Sequence, residues 1–290
     1  MTHLATLKSR EELDSRYYFG PADKRPVGSA LVTRRCGNRR SISSSFPRHP
    51  AARPAAPTGL YPAARCFYPA PRQPPPRADM TLPRTDRRTH WQNVYRTKRA
   101  DSVSWYQPHL NVSLQLLEQA GLSPGSRVID VGAGASTLVD DLLDRGLRDI
   151  SVLDVSEEAL ALARHRLGER ANRVTWYAGD VLELALPPGY FDFWHDRAVL
   201  HFLTDPDDAR TYAHSAAGAL ATGGHAVIGG FAPDGPDRCS GLQVAQRSAR
   251  DIAAIFAPAF ALVRECTERH RTPGGSEQAF SYALLRRLPD

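Results

Sequence analysis

The chain has 290 residues, 42% of them hydrophobic, which permits one large domain or two small ones with a sizeable core. It holds no run of about 18 apolar residues, which excludes a spanning helix; four cysteines in 290 residues are too few for a disulfide scaffold, and without a C-x-x-C pair they argue against a cysteine zinc site. The net charge of +6 divides unevenly: residues 1–79 carry 14 Lys+Arg against 5 Asp+Glu, residues 80–290 carry 23 against 26, and the later part gives no electrostatic reason to expect nucleic acid.

In residues 1–79, Arg, Pro and Ala make up 35 positions, and apolar residues follow neither a helical nor a strand period. The run Pro69 to Pro76 cannot be helix or central strand, because proline lacks the N–H and fixes φ. This composition predicts a disordered extension. The favoured reading is upstream sequence translated from a start placed too early. Met80 sits at the composition break, and Arg outnumbers Lys 34 to 3, as GC-rich coding sequence gives. A basic tail for an acidic partner comes second. A targeting peptide comes third: Ser41, Ser43, Ser44 and Ser45 favour it, while Glu11, Glu12, Asp14 and the lack of an apolar h-region oppose it. A cytoplasmic location is expected.

From residue 90 helices and strands alternate. His90 to Asp101 reads as a short helix and turn, and Asn111 to Ala120 as a helix stopped by Gly121. Arg127–Val131 is a buried-type strand. Gly132-Ala133-Gly134 leads into a helix from about Thr137 to Arg145. Ile150–Asp154 is the next strand, and Ser156 caps a helix through Leu167 with Glu157 and Glu158 in its first turn. Val174–Tyr177 and Phe191–Trp194 are the third and fourth strands. Asp205-Pro206 opens a helix, and His225–Ile228 is the fifth strand. Ser248–Phe256 is a helix ended by Pro258. Phe260–Glu265 and Ala279–Leu285 form a hairpin through Pro273-Gly274-Gly275. Such alternation predicts helices on both faces of a mostly parallel sheet.

Ligands bind such a sheet at the carboxyl ends of its strands. The first end is Asp130-Val131-Gly132-Ala133-Gly134, where two glycines let backbone approach a ligand; an ordinary strand–helix turn also uses glycine. The second is Asp154, twenty residues after Gly134, able to accept both hydroxyls of a ribose; its alternative, a helix-start acid, is redundant beside Ser156. The third is Gly179-Asp180-Val181, where the carboxylate can accept from an adenine amino group and the apolar residue can pack on the ring, or the pair is a plain turn. The fourth is His195-Asp196-Arg197-Ala198.

In order these motifs read V-I-D-V-G-A-G-A-S, L-D-V-S, A-G-D-V and F-D-F-W-H-D-R-A-V-L-H-F-L. Over roughly residues 90–287 the chain resembles the class I S-adenosylmethionine-dependent methyltransferases. The resemblance implies an α/β fold, a Rossmann-like three-layer α/β/α sandwich whose seven-stranded, mostly parallel sheet has its last strand antiparallel. It implies S-adenosylmethionine as cofactor, with the methionine part at Gly132 and Gly134, Asp130 beside the ammonium, ribose at Asp154, adenine at Asp180 and Val181, and Val155 also in the cofactor site. Residues 80–125 would form an N-terminal cap and residues 126–290 the methyltransferase domain. A nicotinamide dehydrogenase would need glycine where Thr137 stands, and an acid at position 130 suits a pyrophosphate poorly. A non-catalytic protein on the same fold is the remaining alternative.

The acceptor is less legible. Enzymes that methylate nucleobase amines resemble Asn/Asp-Pro-Pro-Tyr after the fourth strand, and those that attack cytosine carbon carry a Pro-Cys; this chain has neither. The segment Trp91, Tyr95, Lys98 and Ser104-Trp105-Tyr106-Gln107 resembles the cap of a bacterial group of small methyltransferases, and more loosely that of some protein-lysine methyltransferases. A small-molecule acceptor is favoured over a protein lysine. No nucleic acid, membrane or metal is expected, and nothing fixes the oligomeric state. Trp105 is the candidate lid and Asp196 the candidate catalytic carboxylate, with capping the turn before Val199 as its plainer job. The Cys239–Leu242 loop and the His270–Gly275 turn are candidates for the acceptor side.

Overall fold

A computed structural model describes residues 18–19 and 84–289, with side chains from residue 86 onward. Of the expected extension only Tyr18–Phe19 is described; the rest lies outside the described residues. The main sheet contains β1 (Arg127–Val131), β2 (Asp149–Asp154), β3 (Val174–Ala178), β4 (Phe191–Arg197), β5 (Leu220–Phe231), β6 (Phe260–Arg271) and β7 (Glu277–Arg287). Their spatial order is β6-β7-β5-β4-β1-β2-β3, and Tyr18–Phe19 adds a short antiparallel edge to β6. Strands β1 to β5 pair in parallel, while β7 runs antiparallel to both β5 and β6. This is the expected fold class, with the last strand reversed.

The helices are α1 (Arg84–Thr97), α2 (Asn111–Gln119), α3 (Leu138–Asp144), α4 (Glu157–Leu167), α5 (Pro206–Ala219) and α6 (Ala249–Phe256). Their ends follow local chemistry. Ser156 accepts the Ala159 N–H at the start of α4, and Gly168, at φ +58°, lies just past its end. Asp205 accepts the Asp207 N–H ahead of Pro206, and Ser248 and Asp251 form a reciprocal box at α6. Among the described residues no helix is long and apolar enough to cross a membrane.

Alternation along the strands builds a core on each face. Val128, Val152, Phe193, Val227 and Leu284 pack with α2 and α3 on one side. Ile129, Leu153, Trp194, Ile228 and Leu285 pack with α5 and α6 on the other. Each large side chain so buried contributes about 1.5–3 kcal/mol.

Two expectations need correction. Helix α1 is longer than the expected short helix and begins earlier, because its arginines reach partners on other elements: Arg88 pairs with Glu157 at 2.6 Å and Arg96 with Glu158 at 2.9 Å. Strand β4 does not stop at Trp194 but runs to Arg197, whose ladder partner is Gly229. Phe191 packs with Trp194 rather than with Phe193, because the register with β5 shifts between Phe191 and Phe193.

Candidate active site

Strand β1 has β2 on one side and β4 on the other. From this point the strand order runs outward in both directions, so the carboxyl end of β1 opens a crevice. Gly132 takes φ +61° and Gly134 φ +55°, where other residues are strained. A Cβ on Gly132 would lie 1.8 Å from Val199 Cγ2, and one on Gly134 would lie 2.0 Å from the Tyr95 hydroxyl. The loop is therefore gripped by α1 from above and by the segment after β4 from the side.

Three carboxylates stand at three strand ends. Asp130 is 1% exposed; its Oδ1 lies 2.6 Å from His195 Nδ1, and His195 Nε2 lies 2.8 Å from Ser113 Oγ. Asp130 Oδ2 is buried and has no hydrogen-bond partner. Asp154 accepts the Gly134 N–H and the Ser156 N–H, each at 2.7 Å, and so ties the glycine loop to β2. Burial pushes its carboxyl up to about 6; the two amide bonds oppose that rise, and nearby Asp130 adds to it. Asp180 accepts the Leu182 N–H at 2.9 Å and stands 3.8 Å from Arg87 Nη1, while Arg87 Nη2 donates to Asp208 at 2.5 Å.

The structure brings most of the expected residues together. Asp130, Gly132, Asp154, Val155, Asp180 and Val181 all line one cleft, and so does Trp105. Trp105 meets Trp91 edge-on at 5.9 Å and Tyr95 at 6.4 Å, which makes an aromatic roof. Gly134 does not line the cleft: its N–H is taken by Asp154, and the Tyr95 hydroxyl stands where a side chain would be. Asp154 also does the local turn work that Ser156 was expected to make redundant.

Asp196 is the clearest departure. It is 0% exposed and does not line the cleft. Its oxygens accept the Val199 N–H at 2.7 Å, the Leu200 N–H at 3.0 Å and the Tyr212 hydroxyl at 2.6 Å. Strand alternation turns it away from the site, and burial pushes its carboxyl up to about 6. The plainer capping job accounts for it; a catalytic one has no geometry behind it.

The alternation that turns Asp196 away points His195 and Arg197 into the cleft. Cys239 also lines it, its thiol pushed up to about 12 by burial, whereas His270 is engaged by Gln107 and the Ser104 carbonyl. Motif reading passed over Arg87 and the Ser113–His195–Asp130 chain. Ser113 is 82 residues from His195, a pairing no local spacing signals.

Residues 128–224 match a family model described as a methyltransferase domain. A mouse eEF1A lysine and N-terminal methyltransferase is 26% identical over 120 residues, which is 41% of this chain but only 17% of that protein. The N-methyltransferase NodS of Bradyrhizobium japonicum, solved with S-adenosylhomocysteine, superposes with a TM-score of 0.53 at 22% identity, covering 69% of this chain and all of NodS. A Burkholderia thailandensis 1,6-didemethyltoxoflavin-N1-methyltransferase, also solved with S-adenosylhomocysteine, gives 0.52 at 24% identity, covering 71% of this chain and 87% of that one. At these identities the two structures establish the shared fold.

Proposed function

We propose that this chain, which carries a class I S-adenosylmethionine-dependent methyltransferase domain, transfers a methyl group to a small molecule. The observation that carries the reading is the unpartnered Oδ2 of Asp130, held at the cleft beside a glycine loop. A buried carboxylate oxygen without a donor is costly, and an ammonium group from a ligand would satisfy it.

S-adenosylmethionine, when bound, supplies a methyl carbon on a cationic sulfur, which keeps the bonding pair as the acceptor's lone pair forms the new bond. The residues of this chain position and desolvate. Asp130 would hold the ammonium, with His195 and Ser113 fixing its orientation. Asp154 and Val155 would take the ribose, and Asp180 and Val181 the adenine. The faces of Trp91, Tyr95 and Trp105 exclude water and suit a cation. Both ring nitrogens of His195 face Asp130 and Ser113 rather than an acceptor, and the raised Cys239 thiol stays neutral. An acceptor that arrives with its lone pair available, its proton lost to solvent, fits best. On this reading residues 80–125 are the cap, residues 126–290 the transferase body, and the protein works in the cytoplasm.

The aromatic roof favours a compact acceptor over a protein. A protein-lysine acceptor is the second reading, supported by the eEF1A methyltransferase relatives, of whose length this chain spans less than a fifth. Release of S-adenosylhomocysteine against a panel of acids, thiols, amines and a protein lysate separates the two. Label entering only lysate protein would overturn the small-molecule reading.

A further inference from the structure

Arg197 has no part in the transfer chemistry described so far, yet it points into the cleft. Its side chain is only 5% exposed. Nε donates to the Tyr282 hydroxyl at 3.0 Å and Nη1 to the Trp105 carbonyl at 2.9 Å. The guanidinium carbon lies 4.3 Å from the centre of the Phe280 ring. Three contacts thus fix the fork in place.

One nitrogen of the fork is left over. Nη2 is buried and has no hydrogen-bond partner. The nearest carboxylate, Glu268, stands 4.0 Å away, beyond hydrogen-bond reach. Its oxygens already accept from Gln107 Nε2 and the Tyr282 hydroxyl. Glu268 offsets the charge of Arg197 without filling its N–H groups. A guanidinium presents its donors in a plane that matches two oxygens of one carboxylate, and an unmade hydrogen bond in a buried site is expensive.

We propose that the methyl acceptor is a small molecule bearing a carboxylate, and that the unengaged Nη2 of Arg197 anchors that carboxylate. The proposal deepens the methyltransferase reading and rests on it. The carboxylate serves as handle and the methylated atom lies elsewhere in the molecule. A protonated lysine would instead bring a second cation against a buried guanidinium, which raises its energy.

The test uses the full chain loaded with S-adenosylhomocysteine, titrated with benzoate, phenylacetate and succinate and with the matching amides. Binding is followed by saturation-transfer NMR and calorimetry. At least one acid should bind about tenfold or more tightly than its amide, the scale of a charge-assisted hydrogen bond. Arg197→Lys keeps the charge but loses the fork, and should lose that preference while still binding S-adenosylhomocysteine. Equal binding of acids and amides, or no binding of the three acids at millimolar concentration, overturns the proposal. If Arg197→Lys fails to fold, the acid–amide comparison in the unaltered protein decides alone. Failure of the unaltered protein to bind S-adenosylhomocysteine would instead sink the methyltransferase reading.

Discussion

Asp154 accepts two backbone amides and is still pushed up to about 6, because burial outweighs both. A ribose hydroxyl donates best to the ionised form, so binding at lower pH must expel a proton. Affinity for S-adenosylhomocysteine should therefore be flat above about pH 6 and fall by about tenfold per pH unit below it. Calorimetry across that range checks the slope, and Asp154→Asn should remove it. Asp196 is raised to the same region but lies outside the cleft, so it bears on stability alone. Its folded-state pKa exceeds the unfolded one, so folding takes up a proton between them. Its ionisation then costs stability as pH rises from about 4 through 6, with the full cost above. Asp130→Asn keeps the shape but removes the charge that faces the cleft. S-adenosylhomocysteine should bind about 1.5–3 kcal/mol more weakly, with little change in melting temperature. A large drop in melting temperature would mean that Asp130 mainly holds His195. The three cleft carboxylates were legible because each stands at or just past the carboxyl end of a strand, beside its own turn signal. Arg197 was not, because its donors are fixed by Tyr282, 85 residues away, and by the Trp105 carbonyl, 92 residues away.

Helix α1 reaches the core of the molecule through ion pairs of unequal worth. Arg88–Glu157 and Arg96–Glu158 are more than 40% exposed at both partners and each adds less than about 1 kcal/mol. Arg87, 17% exposed and set between Asp208 and Asp180, is screened far less. Arg87→Met should therefore speed release of S-adenosylhomocysteine several-fold in stopped-flow traces, while Arg88→Ala and Arg96→Ala together change it little. A larger effect from the exposed pair would reverse that ranking. The loop beneath α1 offers a sharper test. Gly134→Ala meets both the Tyr95 hydroxyl and a positive φ. Tyr95→Phe added to it should recover part of the lost melting temperature, leaving the 2.8 Å approach of the ring carbon Cζ and about 1–2 kcal/mol from the backbone. Full recovery would show that φ costs nothing here. At this scale the sequence was readable wherever a cap or a glycine marks an end, as at Ser156 and Ser248. It was not readable at β4, where polar His195, Asp196 and Arg197 look like a turn and pairing with β1 and β5 keeps them in strand.

For the molecule as a whole, the composition break at Met80 has a measurable counterpart. The two-residue pairing of Tyr18–Phe19 with Thr267 and Cys266 is the one described tie between the extension and the sheet. A chain beginning at Met80 should lose at most about 1 kcal/mol, or about 2–4 °C in melting temperature, and keep its affinity for S-adenosylhomocysteine. A loss well beyond that would show that residues 1–79 pack on the domain.

The position of β7 carries a consequence for synthesis. It is the last of the seven strands to be made, yet it lies between β5 and β6. Until residue 287 has left the ribosome, the apolar edge of β5 stays open, and β6 has no neighbour in the main sheet except Tyr18–Phe19. Such an edge invites pairing with other chains, so the nascent protein should depend on holding chaperones until β7 is made. Tyr282 lies on that strand and donates to Glu268 while it accepts from Arg197. The guanidinium is therefore oriented only once β7 is in place, and an intermediate that lacks β7 can bury the residues of β1 and β2 without yet being able to select an acceptor.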